Sequence, residues 1–285
     1  MDTRTNHKQD RLRVPNWLLL AIGALLTIAT HERFGIQILA WIVYVPFWIY
    51  LRRTRGWGTL AAFVGVLFVG WTLATLKIIT EPHPWYFSLI YALPITLLHA
   101  LGHSTVRWAG KSRNWWLVTA AAMTVAEWLL GALTPFGTWG TLAYARLDDL
   151  ALLQTGSLFG IIGISLILLV VNGFVAWLLA DRPAKKAVRR AATSIGGVLI
   201  AVYAFGWLRV SLYEGRSKET LTVATVDHDI TGFTFHSSPS YAKPVKTANS
   251  GSPRSKQKNR TRPAFSIKAC MNRPSNHWTG STQSV

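Results

Sequence analysis

Ser157–Ala180 reads SLFGIIGISLILLVVNGFVAWLLA, an unbroken apolar run without one charged side chain. Crossing a bilayer as a helix takes about 20 such residues, because the hydrocarbon offers no water to an unpaired backbone group. The apolar character reaches back to Leu150, so the whole run exceeds one crossing and the span itself starts near Ser157. Six more runs of similar character stand on either side: Pro15–Thr30, Phe34–Leu51, Trp57–Leu76, Trp85–Trp108, Trp115–Leu133 and Ala191–Leu208. The first is short, so six spans remain an alternative to seven. Composition agrees: half of the 285 residues are hydrophobic, mean hydropathy is +0.26 and only 15% are charged, where a soluble domain carries about a quarter. An ordinary soluble protein, a collagen-like chain and a disulfide framework are excluded, the last by a single cysteine. The sequence therefore predicts an all-α integral membrane bundle of about seven transmembrane helices.

Charge orders these runs. Counting loops from the amino terminus, Arg4, Lys8, Arg11 and Arg13 precede the first run; Arg52, Arg53 and Arg55 follow the second. Arg107, Lys111 and Arg113 follow the fourth, and Arg182, Lys185, Lys186, Arg189 and Arg190 the sixth. The alternate loops hold only Arg33, Lys77 and Arg146, giving 15 basic residues against 3. Cytoplasmic loops concentrate Lys and Arg, so the amino terminus is expected in the cytoplasm and the chain after Leu208 outside. Trp17, Trp57, Trp85, Trp115 and Trp116 are expected in an interfacial belt. The basic start followed by an apolar run is read as an uncleaved first span, with His31-Glu32-Arg33 as a simple loop.

Few residues inside the runs could carry chemistry. His99 and His103 share a helix face four residues apart, but two ligands without a nearby acid or thiol do not make a metal site. Glu127 is the one carboxylate well inside a run, and is either functional or a bundle-facing group hydrogen-bonded to its neighbours. Gly156, Gly160 and Gly163 form a small-residue pattern read as helix packing, and Pro94 is expected to kink its helix. Least generic is Leu133–Tyr144, LTPFGTWGTLAY, whose proline, glycines and aromatics predict a folded loop, re-entrant or interfacial, able to line a substrate mouth.

Taken together, Ala126-Glu127-Trp128, Pro135-Phe136-Gly137-Thr138-Trp139-Gly140, Leu142-Ala143-Tyr144, Leu152-Leu153-Gln154, Gly160–Ser165 and Asn172 resemble the apolipoprotein N-acyltransferase family, membrane-anchored members of the nitrilase superfamily. Leu221–Val226 is similar to the first strand of that family's catalytic domain. The resemblance implies seven spans before an extracytoplasmic αββα domain in the bacterial inner membrane. It also implies acyl transfer from a membrane phospholipid to the α-amino group of a lipoprotein's diacylglyceryl cysteine. In that reaction a Glu base activates a Cys nucleophile and a Lys stabilises the oxyanion. Among residues of the family motif, Glu127, Pro135, Phe136, Gly137, Trp139, Tyr144 and Gln154 are the candidates for lining a substrate mouth.

The pattern departs after Asp229. No Asp or Glu follows it, while nine Lys and Arg do, in a stretch rich in Ser, Thr and Asn. Cys270, within Lys268–Arg273, lacks both an apolar strand and an acidic partner, so no residue is assigned as catalytic. The expected organisation is a basic cytoplasmic segment (1–14), the bundle (15–208), a linker with an orphan strand (209–229) and a disordered basic tail (230–285), read as out-of-frame or truncated sequence. No cofactor, metal or nucleic-acid partner is implied. Membrane phospholipid is the expected partner, with lipoproteins joining it only if an intact catalytic domain exists. The chain is expected to be inactive as written; the alternative is a non-enzymatic, lipid- or partner-binding membrane protein. A solute transporter is disfavoured by the scarcity of ionisable groups in the spans.

Overall fold

The apolar runs fold as helices, since a backbone without water must pair with itself. A computed structural model describes residues 14–32, 35–79 and 83–214; among these there is no strand. After Pro15 come α1 (Asn16–Thr30), a 3₁₀ helix (Gln37–Trp41), α2 (Val45–Arg53), α3 (Trp57–Leu76) and α4 (Phe87–Trp108). Then follow α5 (Trp115–Leu133), a second 3₁₀ helix (Leu142–Arg146), α6 (Leu150–Leu153), α7 (Gly156–Asp181) and α8 (Lys185–Glu214). Five of these, α3, α4, α5, α7 and α8, are long and apolar enough to cross a membrane; α1 is apolar but has 15 residues. The expected orphan strand and basic tail lie outside the described residues.

The second apolar run is not one helix. It breaks between Trp41 and Val45, where Pro46, lacking an N–H and clashing with the carbonyl four residues back, begins a new helix. Asn172 of α7 serves the interrupted backbone: its Nδ2 donates to Ala40 O at 2.9 Å, and its Oδ1 accepts from Tyr44 N at 2.9 Å. The short α2 is buried on every side from Val45 to Leu51, as a helix apolar all round must be. It packs against α1, α4 and α7, while α4–α5, α5–α7, α3–α4 and α1–α3 form the surrounding wall.

Loops alternate between two ends of this bundle. At one end the Arg52 guanidinium donates to Gly110 O and pairs with Asp181 (Nε to Oδ1, 3.1 Å). Arg107 donates to Gly56 O at 2.8 Å, and Arg53 to Val14 O at 3.0 Å. The loops before α1, α3, α5 and α8 thus gather at one basic end. At the other, Lys77 donates to Ile28 O at 2.5 Å and to His31 O, Gln37 donates to Asp148, and Arg146 lies over the Trp41 ring.

Two sequence expectations change. Trp17, Trp57 and Trp85 are exposed at helix ends, but Trp115 and Trp116 are buried rather than interfacial. Trp115 Nε1 donates to Asp181 at 2.7 Å and Trp116 stacks on Trp177, because the α7 terminus offers a carboxylate and a ring where a lipid interface would otherwise lie. Gly160 is where α7 bends, with φ 65, and a side chain there would meet nothing. A side chain at Gly163 would meet Phe159 of the same helix and one at Gly156 would touch Ile164, while close approaches between helices occur at Gly102 against Met123, and at Gly173 against Trp116 and Trp48.

Helix α8 stands apart. It packs on α6 near its carboxyl end, where Tyr203 Oη donates to Asp149 Oδ2 at 2.6 Å and Gly206 lies against the Ala151 backbone so closely that a Cβ would clash. Arg209 adds a bond to Ser157. Its contact with α7 is slight, and Val198, Ile200, Leu208 and Leu212 are exposed.

Candidate functional site: a pocket under the α5–α6 loop

Helix α5 ends at Leu133, with Thr134 extended after it, and the chain then makes successive tight turns, with Trp139 N donating to Phe136 O and Thr141 N to Thr138 O. Gly137 and Gly140 sit at φ 60 and 85, a left-handed region that a side chain would strain. This loop folds back on the bundle. Leu142 N donates to Glu127 Oε1 and Ala143 N to Ser165 Oγ, both at 3.1 Å. Glu127 and Ser165 are fully buried, so two interior side chains take over hydrogen bonds that helical backbone would have made for itself. Phe136 and Trp139 flank Tyr91 of α4, with ring centroids 4.3 and 5.9 Å away.

Beneath the loop is a cavity of about 230 Å³, lined by His31, Glu32, Trp139, Thr141, Tyr144 and Leu147 among others. Thr138 Oγ1 and Tyr144 Oη are hydrogen-bonded at 2.8 Å, which fixes the phenol at its wall. Burial holds the Glu32 carboxyl above its usual range, against the opposing pull of the Lys77 ammonium. Desolvation likewise lowers Lys77, opposed by Glu32. The pocket thus combines aromatic and hydroxyl walls with one carboxylate, suited to a ligand with an apolar part and an ammonium group.

Behind it, the bundle interior is aromatic and polar. His31 Nε2 is hydrogen-bonded to Tyr44 Oη at 3.1 Å, its ring packs on Trp71, and Trp48 Nε1 donates to His103 Nδ1 at 2.6 Å. Among the described residues no three His, Cys, Asp or Glu side chains are grouped to hold a metal.

Of the candidate residues, Trp139 and Tyr144 reach the pocket wall. Phe136 braces the loop through Tyr91, Gly137 permits its turn and Glu127 anchors it from below. Pro135 is exposed on the turn, and Gln154 caps α6 away from the pocket. Sequence reasoning missed His31 and Glu32 by treating them as a plain loop. The available signal was a His-Glu pair abutting an apolar run at the end sparse in basic residues.

The chain is 34% identical to the apolipoprotein N-acyltransferase of Bradyrhizobium diazoefficiens over 131 residues, 46% of this chain and 23% of that protein. To the apolipoprotein N-acyltransferase of Rhodopseudomonas palustris it is 32% identical over 130 residues, 45% of this chain and 23% of that protein. The matched part is therefore under a quarter of either relative's length. No solved structure matches the chain at a significant level. The described helices and the relatives together make this a membrane protein. Residues 22–174, more than half of the chain and the region that builds the loop, its anchor and the pocket, match the apolipoprotein N-acyltransferase N-terminal domain, and the chain belongs to that family.

Proposed function

We propose that this chain is the membrane part of an apolipoprotein N-acyltransferase-like protein and that its pocket receives a lipid substrate of acyl transfer. All seven apolar runs then cross the bacterial inner membrane, α1 by its short length and the second as the broken 3₁₀–α2 segment. The basic end faces the cytoplasm, by the bias of Lys and Arg. The observation that carries the reading is the loop itself: family-motif residues Trp139 and Tyr144 wall a cavity beside Glu32, pinned from below by Glu127. An ammonium, whether of a phospholipid head or a lipoprotein's amino terminus, fits the Glu32 carboxylate, and an acyl chain fits the aromatic wall. The 285 residues carry no acidic side chain after Asp229, so the chain as written binds without transferring.

Reconstitution with phosphatidylethanolamine and a synthetic S-diacylglyceryl-cysteinyl peptide tests this. The chain is expected to bind the peptide without N-acylating it, and Trp139→Ala is expected to weaken binding about fivefold, as for loss of an aromatic anchor worth roughly 1 kcal/mol. Acyl transfer would refute the inactivity, and binding indifferent to Trp139→Ala would remove the pocket from the reading.

A further inference from the structure

A second, larger cleft opens at the basic end. Because α8 is fastened to α6 near its carboxyl end and barely touches α7, its first half leaves a gap of about 610 Å³ against α5 and α7. The walls are apolar, formed by Trp116, Leu166 and Val170 on one side and Ile195, Val198 and Leu199 on the other. Leu166 and Val198 are exposed, so the gap is open to its surroundings. Its volume lies in the range of about 300–1,000 Å³ found for small-molecule sites.

Polar groups in the cleft include two exposed cations, Arg113 before α5 and Arg190 in the second turn of α8. No described carboxylate pairs with either. Asp181 is taken by Arg52 and Trp115. Lys185, Lys186 and Arg189 add positive charge on the same helical turns. A further transmembrane helix would fill an apolar groove but would give two guanidiniums nothing to bind. An amphiphile with an anionic phosphate head satisfies both parts, since guanidinium is well matched to phosphate oxygens.

We propose that the α5–α7–α8 cleft binds one anionic phospholipid of the leaflet at the basic end, its phosphate on Arg113 and Arg190 and an acyl chain between Val170 and Val198. This site is at the opposite end from the α5–α6 loop pocket and is independent of it: a lipid bound here stabilises α8 against the bundle rather than serving as substrate.

The test uses the full chain in phosphatidylcholine nanodiscs doped with a phosphatidylglycerol carrying a photoreactive diazirine at the end of one acyl chain. Adducts are expected on Leu166–Val171 and Ile195–Leu199. An analogous phosphatidylcholine probe should label these segments roughly tenfold less, because basic side chains at a lipid surface each contribute several-fold to anionic lipid binding. Arg113→Ala with Arg190→Ala should bring the phosphatidylglycerol probe down to that level. Val198→Trp, which fills the gap, should suppress labelling without removing either charge. Near-ultraviolet circular dichroism would confirm that these variants fold. Equal labelling by the two probes, or labelling unaffected by the arginine substitutions, would overturn the proposal. So would cross-linking of a second copy of the chain through Val198→Cys in a Cys270→Ser background.

Discussion

Asn172 shows how one side chain can make a broken span tolerable. It serves Ala40 O and Tyr44 N, which the interruption before Pro46 would leave unpaired in a buried setting. Asn172→Leu keeps the volume and removes both bonds, and is expected to destabilise the folded chain by roughly 2–4 kcal/mol, read from thermal unfolding in detergent. Glu127 is separable in the same way. Glu127→Gln retains a carbonyl for Leu142 N and should leave the loop in place, whereas Glu127→Leu strands that N–H and should cost about 1–3 kcal/mol. Hydrogen exchange at Leu142 distinguishes the two. Glu32 yields a pH prediction. Burial raises its carboxyl above 4.5, and an ammonium ligand requires the ionised form. Binding of a diacylglyceryl-cysteinyl peptide should therefore strengthen as pH climbs above 4.5 through that raised value, and Glu32→Gln should flatten the profile while the ligand amine stays protonated.

Among elements, the long helices were legible because length and hydropathy suffice for them, whereas the second run was not. Its hydropathy is uninterrupted, and only Pro46, together with a partner 126 positions away in sequence, marks the break. Trp115 and Trp116 misled for a related reason: an indole at a helix end belongs to the lipid interface unless another element supplies a partner, and Asp181 and Trp177 come from α7. The pocket was half legible. Trp139 and Tyr144 stood out by composition, while His31 and Glu32 join them only through the return of the loop. At the α6–α8 contact, burial tends to raise Asp149, but bonds from Tyr203, Leu152 N and Arg146 outweigh it and hold its carboxyl below 3.8. A depressed carboxylate contributes stability that is complete above its unfolded value and lost as pH falls through the folded one. Docking of α8 should accordingly loosen below about pH 4, seen as faster proteolysis within Lys185–Glu214, and Asp149→Asn should show that loosening already at neutral pH.

For the molecule as a whole, the charge alternation in the sequence corresponds to two physical ends, one held by Arg52, Arg53 and Arg107 and the other by Lys77 and Gln37. Which end faces the cytoplasm is settled by labelling. In a Cys270→Ser background, His83→Cys should react with a membrane-impermeant maleimide in intact spheroplasts, and Asn114→Cys only after permeabilisation; the reverse result inverts the topology. The attachment of α8 also has a mechanical side. Its fulcrum at Gly206 lies near the carboxyl end, leaving a sparsely packed arm of about 30 Å back to Lys185 at 1.5 Å per residue. A swing of only about 10° at the fulcrum would carry the Lys185 tip roughly 5 Å. Helix α8 thus has lever proportions: a small displacement at its Glu214 end corresponds to a larger one at Lys185, near the opposite face of the membrane.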